Sequence, residues 1–133
     1  LSKLESLKIE GKLPDVSVLP PQWKQKLSSL KYLEIGDVDD LEFWFKDGFP
    51  SLQKVVVYGS DLKALPGSMC DLESLQHIKM MGCHKLASLP EKMKELKLDT
   101  LEIWDCPLLV ERCQKETGVD WLKISHIQNL IVK

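Results

Sequence analysis

Apolar residues along this chain recur in one short pattern, Leu-x-x-Leu-x-Leu, that returns at a nearly constant spacing. Its copies are Leu4-x-x-Leu7-x-Ile9, Leu30-x-x-Leu33-x-Ile35, Leu52-x-x-Val55-x-Val57, Leu75-x-x-Ile78-x-Met80 and Leu98-x-x-Leu101-x-Ile103. The middle apolar residue steps from 7 to 33, 55, 78 and 101, intervals of 26, 22, 23 and 23. A further step of 23 reaches Ile124 in Trp121-x-x-Ile124, where the unit decays. Alternation over the last three positions has the period of a strand, so the paired apolar residues share one face. One such unit cannot bury that face alone. Stacked copies can, which predicts a parallel sheet built from one strand per repeat.

The segments between strands carry their own columns. Leu62, Leu65 and Met69 follow the third strand, and Leu86, Leu89 and Met93 follow the fourth. Three positions past each strand's last apolar residue come Val38, Ser60, Cys83 and Cys106, where a small or thiol side chain would face into the turn. Leu19-Pro20, Leu65-Pro66 and Leu89-Pro90 recur on the return path, and proline there holds the chain extended without a donor. The second repeat replaces that step with Leu41-Glu-Phe-Trp-Phe45, which predicts a bulkier loop. The fold class expected is therefore an α/β solenoid of leucine-rich repeats. Its parallel sheet would line the concave face, and its convex side would be mostly irregular.

After Ile103 the pattern changes. Pro107, Leu109, Val110 and Cys113 have near-helical spacing up to Gly118, and Asp120 to Lys133 reads as a short apolar tail. Residues 1–106 then form about five repeats, the first truncated, and residues 107–133 a C-terminal cap with a short helix and an extended segment. Residue 1 falls directly into the repeat, and no signal-peptide pattern opens the chain, so a piece of a longer protein is expected.

Outward positions of the strands are the place to look for recognition. The residue after each last core position is Glu10, Gly36, Tyr58, Met81 or Trp104, which puts three large side chains on adjacent strands. Lys79 and Glu102 flank them, and His77 precedes them. This Tyr58, Met81 and Trp104 row is a candidate partner-binding surface. The other reading is that the three shield one another or pack against a further domain.

Composition narrows the function classes. The 18 basic and 20 acidic residues leave a net charge of −2, without the basic excess that nucleic acid or anionic lipid selects. Apolar runs reach only about three residues, too short for a membrane-spanning helix. Cys70, Cys83, Cys106 and Cys113 include no Cys-x-x-Cys pair, so free thiols and a cytoplasmic setting are expected. Cys83, His84, Cys106 and Cys113 do not have zinc-finger spacing, and no metal site is expected. Cys113 with His126 lacks an orienting third residue and an oxyanion hole, and Asp39-Asp40 reads as solvated loop. Trp23, Trp44 and Trp121 read as packing residues of the convex side or cap. No catalytic residue is expected.

Two stretches resemble a known family. Cys83-His-Lys-Leu86-Ala-Ser-Leu89-Pro90 is similar to the Cys-x-x-Leu-x-x-Leu-Pro step of cytoplasmic plant leucine-rich repeats. Cys106-Pro107-Leu-Leu109, Glu111-Arg112-Cys113, Gly118-x-Asp120-Trp121, Ile124 and His126-Ile127 resemble the C-terminal tail of plant intracellular immune receptors of the coiled-coil, nucleotide-binding, leucine-rich-repeat type. Gln128 stands where such tails commonly have proline. The resemblance implies binding of a pathogen effector or an altered host protein, and restraint of the receptor's nucleotide-binding domain. ADP or ATP would belong to that other domain, since no Gly-x-x-x-x-Gly-Lys-Ser/Thr stretch occurs here and this chain would hold no cofactor. A substrate-recruiting repeat domain of a ubiquitin ligase is the alternative with the same fold.

Overall fold

A computed structural model describes residues 5–10, 21–37, 45, 49–59 and 61–133 of the 133. The strands are β1 (Ser6–Glu10), β2 (Tyr32–Gly36), β3 (Lys54–Tyr58), β4 (His77–Met81), β5 (Thr100–Trp104) and β6 (Asn129–Val132). They form one parallel sheet in chain order, β1 to β6. The register aligns Leu7, Leu33, Val55, Ile78, Leu101 and Leu130 in one row, and Ile9, Ile35, Val57, Met80, Ile103 and Val132 in the next. From β2 to β5 both rows are fully buried, as the two-residue alternation requires.

Strand entry is built the same way each time. The carbonyls of Glu5, Lys31, Gln53 and Gln76 each accept two successive N–H groups from the next unit, as Gln53 does from Gln76 and His77. Strand exit is equally regular. Asp37, Gly59, Gly82 and Asp105, one residue past each strand, have φ of 55°, 50°, 66° and 52°. Their N–H groups donate to Tyr58, Met81, Trp104 and Lys133 of the following unit. Only glycine, aspartate and asparagine enter this left-handed region at low cost, which accounts for the residue types in the column.

Return segments supply the second wall of the core. Pro66 and Pro90, both extended, lead into 3-10 turns at Gly67–Asp71 and Glu91–Glu95. Their carbonyls accept the N–H groups of Met69 and Met93, whose side chains fill the interior. The return from β1 to β2 differs: it contains a true α-helix, α1 (Pro21–Leu27), in the longest of the intervals. An α-helix at this point was not expected from the proline step. The Leu41–Phe45 loop lies outside the described residues except Phe45, which is buried with its ring centroid 5.6 Å from that of Phe49. Leu4, Leu19-Pro20, Val38, Asp39-Asp40, Trp44 and Ser60 lie outside the described residues as well, as does the Trp23 side chain.

The thiol column points inward. Cys83 Sγ lies 3.7 Å from the Val57 carbonyl and Cys106 Sγ 3.3 Å from that of Trp104. The Cys83 thiol hydrogen-bonds Cys106 and draws its pKa below the ordinary thiol value. Burial pushes Cys113 up to about 12. His126 Nε2 donates to the Leu96 carbonyl at 2.9 Å, so both histidine and thiol have structural surroundings.

Over residues 107–133 one expectation changes. The helix beginning at Pro107, α2 (Pro107–Arg112), stops well before Gly118. There the chain doubles back: Gly118 N–H donates to Gln114 and Asp120 N–H to the Arg112 carbonyl, each at 2.8 Å. A Cβ on Gly118 would strike that Arg112 carbonyl, so the glycine is needed for close approach. Trp121-x-x-Ile124, where the repeat unit decays, is the helix α3 (Trp121–Ile124), which buries Ile124. The extended segment is the sixth strand, with Leu130 in register with Leu101, so the apolar tail is helix first and sheet afterwards.

A buried ion cluster fastens this cap to the rest. Asp120, fully buried, accepts two bonds from Arg112 at 3.0 and 3.1 Å, one from Lys123 at 2.9 Å and one from the Leu89 N–H at 3.0 Å. Lys123 also donates to the Leu89 carbonyl at 2.8 Å. Burial alone would push the Asp120 carboxyl up; the four donors outweigh it and bring it down to about 2. Trp121 packs, partly buried, against the core. Among the described residues no helix is long and apolar enough to cross a membrane.

Candidate functional site

The outward face of the sheet is ordered by the same register that builds the core. Its first row is Ser6, Tyr32, Lys54, His77, Thr100 and Asn129; its middle row is Lys8, Glu34, Val56, Lys79, Glu102 and Ile131. Its third row is Glu10, Gly36, Tyr58, Met81 and Trp104. The six candidate residues Tyr58, Met81, Trp104, Lys79, Glu102 and His77 therefore lie together on β3, β4 and β5.

Their side chains do not form a continuous aromatic strip. Tyr58 leans back across Gly36, where any Cβ would collide with its ring. Its hydroxyl donates to Glu10 Oε1 at 2.7 Å, two strands away, and Lys8 Nζ sits 5.6 Å from the ring centroid. That hydrogen bond raises the Tyr58 pKa. Trp104 turns the other way, with Nε1 donating to Glu102 Oε1 at 3.1 Å and Lys133 Nζ 5.7 Å from its ring centroid. Between them Met81 stays open to solvent, 41% exposed. Gly36 was the available sign of this gap: a residue without a side chain leaves space for its neighbour's ring.

Around this row runs a polar network that reading single strands did not reveal. Glu34 accepts from the Tyr32 hydroxyl at 2.8 Å and pairs with Lys8 at 3.2 Å; the Tyr32 bond chiefly holds its carboxyl below the ordinary range. His77 Nε2 donates to Glu102 Oε2 at 2.6 Å. Burial would push Glu102 up, but the His77 and Trp104 bonds and the nearby Lys79 leave it below the usual carboxylate range. Val56 is only 6% exposed on this outward face, because longer neighbours close over it. Lys8, Tyr32, Glu34, Lys54, Val56, Tyr58, Lys79 and Met81 line a depression of about 370 Å³. An apolar floor ringed by charged and aromatic groups is suited to gripping side chains of another protein.

No protein-family model matches the chain, and no solved structure matches it. The chain is similar to the TMV resistance protein N of Nicotiana glutinosa, 47% identical over 45 residues, and to the putative disease resistance protein RGA4 of Solanum bulbocastanum, 43% identical over 49 residues. These stretches cover 34% and 36% of this chain but only 4% and 5% of the relatives. The chain is thus related in part to plant disease resistance proteins and corresponds to a small share of their length.

Proposed function

We propose that this chain is the C-terminal recognition region of a plant disease-resistance receptor. It is a leucine-rich-repeat solenoid whose sheet lines the concave side and binds a pathogen effector, or a host protein altered by one. It also helps to hold the receptor's nucleotide-binding domain inactive until recognition. The chain itself carries out no catalysis and holds no cofactor; ADP or ATP is bound by the nucleotide-binding domain, and the encounter takes place in the cytoplasm. The observation that carries this reading is the in-register outward face of β3 to β5, with Met81 open between Tyr58 and Trp104. Partial similarity to two resistance proteins favours it over the ubiquitin-ligase alternative.

The test is the triple substitution Tyr58→Ala, Met81→Ala and Trp104→Ala in the full-length receptor, challenged with the pathogen strain that triggers it. Loss of the cell-death response, with an unchanged circular-dichroism spectrum, is expected. A folded triple variant that responds like wild type refutes the assignment of this face.

A further inference from the structure

The outward face divides its charges unevenly. Its described acids, Glu10, Glu34 and Glu102, stand on β1, β2 and β5. Each is already engaged: Glu10 by Tyr58, Glu34 by Tyr32 and Lys8, Glu102 by His77 and Trp104. The two middle strands present no acid outward. β3 offers Lys54, Val56 and Tyr58, and β4 offers His77, Lys79 and Met81. Among the described residues, Lys54 and Lys79 form no ion pair; Lys54 rests 5.7 Å from the Tyr32 ring centroid and attracts Glu34 only at a distance, as Lys79 does Glu102. Both lysines line the same depression as Val56 and Met81.

We propose, resting on the recognition reading above, that the partner is a protein segment with an acidic side chain beside an apolar one. Its carboxylate docks against Lys54 and Lys79, and its apolar group covers Val56 and Met81. An incoming carboxylate finds two cations here and displaces no existing ion pair, because Glu34, the one acid lining the depression, is already held by Tyr32 and Lys8. A basic segment would meet like charge at the same spot. Lys54 and Lys79 are both partly buried, which makes the attraction stronger than between fully exposed groups. Met81 supplies the adaptable apolar contact, since its thioether chain can fit side chains of different shape.

The probe is a random peptide library displayed on phage and selected on the full-length receptor. Enriched peptides are expected to carry Asp or Glu next to Leu, Met or Phe. They should bind the Lys54→Gln, Lys79→Gln double variant about tenfold more weakly, as loss of two exposed attractions allows. Raising salt to about 0.5 M should weaken binding in the same direction. Failure to enrich any peptide, an enriched set without acids, or unchanged binding to the double variant overturns the proposal. The Tyr58→Ala, Met81→Ala, Trp104→Ala variant separates the two readings. Peptides that lose this variant but ignore the lysine change leave the face intact as a recognition surface and remove only the acidic partner. Peptides that bind both variants as wild type place recognition elsewhere.

Discussion

Asp120 in the cap and Glu102 on the outward face are both carboxylates held below their ordinary range by donors, yet the two regions use them differently. Asp120 is sealed from water and joins α2, α3 and the Leu89-Pro90 turn, segments far apart in the chain. Glu102 is partly open, with 15% of its side chain exposed, and joins only residues of its own surface on β4 and β5. Asp120 cannot lose its partners without leaving a buried charge behind. A surface network can, because water replaces whatever leaves. The Asp120 cluster is therefore a fastening, whereas the outward network is free to rearrange.

The largest effect should come from breaking the fastening. Asp120→Ala leaves the Leu89 N–H without its acceptor and Arg112 without its partner, while Lys123 keeps the Leu89 carbonyl and Glu91, and should cost roughly 3 kcal/mol of stability, read from urea unfolding. Glu102→Ala should cost only about 1 kcal/mol, since water can reach His77 and Trp104. Equal losses for the two would erase the distinction between the regions.

Acid should sharpen it. The Asp120 carboxyl is depressed from an ordinary 3.8 to about 2. A depressed acid stabilises the fold fully above its unfolded value and loses that contribution as pH falls through the folded one. The stability gap between wild type and Asp120→Ala should therefore hold above about pH 4 and shrink toward pH 2. A gap that stays constant across this window would show that the cluster does not titrate as described.

The smallest effect concerns the placement of one ring. Gly36→Ala puts a Cβ where the Tyr58 ring lies, so the ring must swing off Glu10. The stability change should be about 1 kcal/mol or less, because the displaced group is a side chain with solvent beside it. Tyrosine ionisation followed by ultraviolet absorbance should shift to lower pH, since the Glu10 bond that raises the Tyr58 pKa is gone. An unshifted titration would mean that the ring keeps its hydrogen bond and finds room elsewhere.

Much of this architecture was legible along the chain. Alternation at Leu33-x-Ile35 and its later copies assigned β2 to β5 and their buried rows, because a strand with one buried face repeats every two residues. The same counting placed Tyr58, Met81 and Trp104 side by side. It stopped short of the sixth strand, because two helices intervene and Ile124 meets the core from a helix while Leu130 does so from a strand.

What only the tertiary structure decided is how the polar groups pair. Tyr58 points where it does because Gly36, on the neighbouring strand, leaves its ring space. Asp120 opens the apolar tail in sequence, with nothing to mark it as buried, yet it is buried because Arg112, Lys123 and the distant Leu89 N–H surround it. Apolar burial follows a local period that sequence alone displays. Pairing of charges and hydrogen bonds depends on which groups lose water together, and that is settled only when separate segments meet.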